Sequence, residues 1–82
     1  MKLWLIRPRD TNGGAWDPWY DKAFGFVVRA GTEEQARKFA DAAAGDEKGC
    51  REDAWLSPAL STCEELTADG DPSIVIRDFR SA

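Results

Sequence analysis

The sequence predicts a single α+β domain of order ββαββ, in which an antiparallel sheet of three to four strands carries one helix on one face. Three observations predict it. Apolar, bulky runs at residues 2–7, 23–30 and 73–79 have strand composition. One capped, amphipathic segment starts at Thr32. A chain of 82 residues builds one modest core, so residues 1–82 make a single domain. Strands arranged around a lone helix favour a sheet with that helix packed against it.

The first strand covers residues 2–7 and ends at Pro8, and the turn formers of residues 10–14 follow it. Asp17 and Pro18 suit the N-cap and first position of a short helical turn, which groups Trp16, Trp19 and Tyr20 into an aromatic plug. In residues 23–30, Phe24, Phe26 and Val28 alternate onto one face, and this second strand is expected to pair antiparallel with the first. Thr32 and Gln35 form a capping box, with Glu33 and Glu34 at the positive end of the helix dipole. The helix is expected over 33–44. Ala36, Phe39, Ala40 and Ala43 make its buried stripe, Arg37, Lys38 and Asp41 face water, and Gly45 stops it. Residues 46–53 read as a charged loop, Ser61–Leu66 as a third strand, residues 69–72 as a turn and 73–79 as the last strand.

Composition narrows the function. Histidine is absent, which removes the commonest general base and the commonest metal ligand. No catalytic triad, P-loop or paired metal ligands can be assembled, so the expectation is a non-enzyme with no cofactor and no metal. Cys50 and Cys63 are too few for a disulfide scaffold and lack zinc spacing, and both are expected as free thiols. No apolar stretch approaches the ~20 residues of a membrane span, and no basic leader precedes one, so the chain is expected in the cytoplasm with no membrane partner.

Residues 22–29 approach the aromatic signature of RNA-recognition strands but depart from it at Ala23 and Arg29, and the helix follows instead of preceding. Phe24 and Phe26 are therefore read as core. Single-stranded nucleic-acid binding stays as an alternative, and an acidic chain opposes it. Charge is concentrated: residues 41–72 carry two basic and nine acidic side chains, a balance of −7 within a chain of −4. Asp41, Asp46, Glu47, Glu52, Asp53, Glu64, Glu65, Asp69 and Asp71 are the candidate partner-binding face, a negative surface that meets a basic groove in the manner of a DNA mimic. A merely solvated face is the plain alternative. Trp16, Trp19 and Tyr20 on the aromatic loop are a second candidate interface, since exposed aromatics anchor contacts; burial in the core is the other reading.

The opening strand with Trp4, the Trp-rich turn with Asp21, the stretch from Gly25 to Ala30 leading into the capped helix, the isolated Trp55 and the closing Ile74, Val75, Ile76 and Phe79 together resemble small acidic proteins of phages and prophages. Within that group the profile is similar to anti-CRISPR inhibitors. The resemblance implies a cytoplasmic protein, monomer or weak dimer. Its implied partner is a host CRISPR effector (Cascade) subunit with a basic DNA-binding surface, and its implied action is inhibition through protein contacts, with no nucleic acid bound directly. Inhibition of another host enzyme through the aromatic loop is the alternative.

Overall fold

The computed structural model describes residues 1–11, 14–16 and 21–79. Along the chain run β1 (Lys2–Pro8), a 3-10 turn (Gly14–Trp16), β2 (Phe26–Ala30), α1 (Glu33–Ala42), α2 (Glu47–Cys50) and β3 (Ser61–Leu66). The architecture is α+β, with a three-stranded antiparallel sheet in the order β2-β1-β3 and one main helix. β1 is central because it is the most continuously apolar strand and is covered on both faces. Leu5 faces Val27 on one side and Glu64 on the other, which fixes the register of both ladders.

Side-chain alternation separates two faces. Trp4, Ile6, Phe26, Val28, Ala30 and Cys63 belong to the face under α1 and pack into the core with Ala36, Ala40, Trp16, Ala54 and Trp55. Leu3, Leu5, Arg7, Val27, Arg29, Glu64 and Leu66 alternate onto the second face. Leu5 is nevertheless buried there.

The Thr32 cap forms as expected: its hydroxyl accepts from the Gln35 amide at 3.2 Å, and the Gln35 side chain accepts from the Gly31 amide at 2.9 Å. The stripe beneath is rotated from expectation. Ala36 and Ala40 are buried, but Phe39 is 55% exposed, Ala43 is exposed, and Arg37 is buried with only 5% of its surface accessible. Two small alanines let the helix approach β2 closely. The rotation carries Arg37 over the chain between α2 and β3, where backbone carbonyls need donors. Its guanidinium donates to the Trp55 carbonyl at 3.0 Å, the Ser61 hydroxyl at 2.8 Å and the Ser61 carbonyl at 3.1 Å, and pairs with Glu33 at 2.9 Å. Arg37 thus holds the first residue of β3 against the helix.

α1 ends at Ala42, two residues before the expected stop, and residues 47–50 make a short helix where a loop was expected. Gly45 serves close approach. A Cβ there would meet the Asp21 carbonyl oxygen, whose own bond to the Asp46 amide is 2.7 Å. The expected fourth strand is absent: residues 73–79 form no ladder. After β3 the chain turns at Gly70, whose φ of 145° disfavours any side chain. Ile76, Arg77 and Asp78 then share a cavity of about 230 Å³ with Arg7 and Val27. The segment therefore stands beside the second face at Arg7 and Val27 without joining a ladder.

Candidate interaction surface

The aromatic plug is built inward. Trp16 is 2% exposed, donates its indole N–H to the Ala23 carbonyl at 2.9 Å and meets the Trp55 ring edge-on at 5.0 Å, with Phe26 edge-on to Trp55 at 4.9 Å from the other side. This corrects its expected role as an exposed anchor. A large ring in an 82-residue chain contributes most by burial. Trp19, Tyr20 and the Asp17–Pro18 cap lie outside the described residues. The Trp4 indole is likewise satisfied, donating to the Ala30 carbonyl at 3.0 Å.

The nine acidic candidates separate into three groups. Glu47 is fully buried and belongs to the interior, a second correction. Its carboxylate accepts from the Trp55 indole at 2.6 Å, the Ala23 amide at 3.0 Å and the Gly45 amide at 3.1 Å. A carboxylate is tolerated there because three donors converge on it. Asp41, Asp53 and Glu65 are paired within the chain, to Lys48 at 3.0 Å, Arg51 at 3.4 Å and Lys2 at 3.1 Å. Asp46, Glu52, Glu64, Asp69 and Asp71 are exposed. Of these, Asp46 accepts from the Asp21 amide at 3.1 Å, and the other four take part in no ion pair among the described residues. Glu52 follows α2, Glu64 stands on the second face of the sheet, and Asp69 and Asp71 lie on the turn beyond β3.

Next to α2 an open cavity of about 480 Å³ is lined by Arg9, Trp16, Cys50, Arg51 and Leu60, among others. Arg9 is committed to the Pro58 carbonyl at 2.6 Å and Arg51 to Asp53. Both cysteines are free, Cys50 exposed and Cys63 half-buried. Burial, and secondarily the charge of Glu33, pushes the Cys63 thiol up against the opposing pull of Arg37, which keeps it a small apolar group under α1. Among the described residues no cluster of three potential metal ligands occurs, and no helix is long and apolar enough to cross a membrane.

One surface was missed from sequence. Ile74, Val75, Ile76 and Phe79 are exposed, and so are Leu3 and Val27 on the adjoining sheet face. Alternating apolar residues predict a strand, and periodicity alone does not say whether a strand finds an edge to join. Comparison with protein-family models, with curated proteins and with solved structures finds no match to this chain.

Proposed function

We propose that this chain acts by binding and not by catalysis. In this reading it is a phage-encoded inhibitor whose acidic surface occupies the basic, DNA-binding surface of a host protein complex, and the resemblance in sequence makes a CRISPR effector the partner to test. The observation that carries the reading is the division of the acidic residues. Internal ion pairs and the buried site of Glu47 absorb four carboxylates, while Glu52, Glu64, Asp69 and Asp71 are exposed and form no ion pair among the described residues. Exposed, unneutralised charge of one sign steers association with a surface of the other sign. The aromatic-loop alternative loses Trp16 to the core.

The test is reversal of all four residues to Lys. Each is exposed, so the fold is expected to hold, which circular dichroism checks. Binding to a purified CRISPR effector, read by interferometry, is expected to weaken about a hundredfold, roughly 0.7 kcal/mol per charge, and the inhibition of DNA capture is lost with it. Unchanged binding by the folded variant, or a wild-type protein that leaves DNA capture by CRISPR effectors intact, refutes the reading.

A further inference from the structure

Three segments meet around the open cavity of about 480 Å³ beside α2: the chain after β1, the end of α2 with Arg51, and residues 59–60 before β3. Its volume lies in the range of small-molecule sites, about 300–1,000 Å³. The inner wall is apolar. Ala15 and Trp16 are buried, and the Trp16 indole N–H already donates to the Ala23 carbonyl at 2.9 Å, so the ring meets the cavity as an apolar surface. Ala59 and Leu60 extend that surface. The wall is also tied together. The Arg9 amide donates to the Leu60 carbonyl at 3.0 Å, the Leu60 amide to the Ser57 carbonyl at 3.1 Å and the Ala59 amide to the Ser57 hydroxyl at 3.2 Å. A cavity held by such bonds exists before a ligand arrives, which lowers the ordering cost of binding.

The rim supplies charge. Arg9, Asp10 and Arg51 are exposed residues of the lining. The Arg9 guanidinium is oriented by its Nε bond to the Pro58 carbonyl at 2.6 Å. Arg51 meets Asp53 through Nε at 3.4 Å, and with both side chains about half exposed such a pair contributes little and yields readily. Each contact engages the Nε of a group that carries five donors, and a carboxylate takes a guanidinium fork in a bidentate pair. In a chain of net charge −4 this rim inverts the local sign. Two guanidiniums against the single carboxylate of Asp10 favour a singly charged anion, because a phosphate sets its second charge against Asp10.

We infer that this cavity binds a small amphipathic carboxylate, with the apolar body against Trp16 and Leu60 and the carboxylate on Arg9 and Arg51. The site is separate from the acidic surface, since Glu52, Glu64, Asp69 and Asp71 lie outside its lining. Failure of either reading leaves the other standing.

Titration of the isotope-labelled full chain with hydrocinnamate, followed by amide correlation NMR, tests it. Saturable shifts are expected at the Trp16 indole and at the amides of Ala15, Arg51 and Leu60, with half-saturation at about 1 mM, as an efficient ligand of this size reaches. The Trp4 indole, bonded to the Ala30 carbonyl and outside the lining, is expected to stay in place. Hydrocinnamamide keeps the body and lacks the charge, and is expected to bind about tenfold more weakly. Phenyl phosphate is expected to bind no better than hydrocinnamate. Arg51→Gln, at an exposed position, is expected to weaken hydrocinnamate about tenfold and to leave hydrocinnamamide unchanged, which separates a lost charge contact from a damaged cavity. Five outcomes overturn the inference. They are no saturable shift up to about 10 mM ligand, shifts confined to residues outside the lining, equal binding of acid and amide, tighter binding of phenyl phosphate, and hydrocinnamate binding that Arg51→Gln does not alter.

Discussion

At the scale of single residues, two buried charges organise this small domain, and neither presents itself to a partner. Glu47 gathers the Trp55 indole and the amides of Ala23 and Gly45. Arg37 gathers the Trp55 and Ser61 carbonyls. Both converge on Trp55, one through its ring nitrogen and the other through its backbone. Removing the carboxylate leaves the buried Trp55 indole and two half-buried amides without their acceptor, and an unsatisfied buried group costs about 1–3 kcal/mol. Glu47→Ala is therefore expected to lower unfolding free energy by about 3 kcal/mol, a large share of the stability of so small a domain. Urea titration followed by tryptophan fluorescence measures it. Glu52→Ala, a change five residues on to an exposed carboxylate with no ion pair among the described residues, is expected to shift the same transition by less than about 0.5 kcal/mol. Equal effects would refute the division of the acidic residues into interior and surface groups. From sequence the two glutamates look alike, since each lies in a charged stretch. Only the donors brought together by Gly45, Ala23 and Trp55 distinguish them.

At the scale of elements, the local signals held wherever a hydrogen bond between near neighbours decides the structure. The Thr32 cap and the start of α1 were legible in that way, and the span of β3 at Ser61–Leu66 was legible from strand composition, although its pairing is with β1 far away in the chain. The orientation of α1 was not, because periodicity counts alanine and phenylalanine together. The sheet accepts the small Ala36 and Ala40, which turns Phe39 outward and Arg37 inward. The same blindness affects Gly45. It reads as a helix stop, yet its lack of a side chain serves the contact between the Asp21 carbonyl and the start of α2. Gly45→Ala is expected to destabilise the fold by about 2 kcal/mol or more, because the added carbon meets backbone that cannot yield as a flexible side chain would. Helix propensity alone predicts the opposite sign, since alanine exceeds glycine by about 1 kcal/mol. The direction of the shift in thermal midpoint decides between them.

At the scale of the whole molecule, a three-stranded sheet with one covering helix leaves its other face to be managed. Residues 76–78 stand beside Arg7 and Val27 of that face, and Leu5 on the same face is buried. Deleting residues 73–82 is expected to expose Leu5 and lower stability by about 2 kcal/mol, the worth of burying one leucine side chain. The Trp16–Trp55–Phe26 cluster lies on the far face, so its near-ultraviolet dichroism is expected to persist. A truncated chain of unchanged stability would show that Leu5 is covered by something else. The exposed acidic surface belongs to this scale as well: its charge is a property of composition, but its free fraction depends on which lysines and arginines reach which carboxylates.

The sequence by itself determined the α+β class, the one capped main helix, the existence of β1, β2 and β3 and the concentration of negative charge in residues 41–72. Those features depend on contacts a few residues apart or on composition, which a linear reading contains. Tertiary structure alone decided that Glu47 and Arg37 are interior, that Trp16 is core, and that residues 73–79 join no ladder. Each of those outcomes depends on partners that lie far apart in the chain, and the hydrogen-bonding and burial that select them exist only once the fold has brought those partners together.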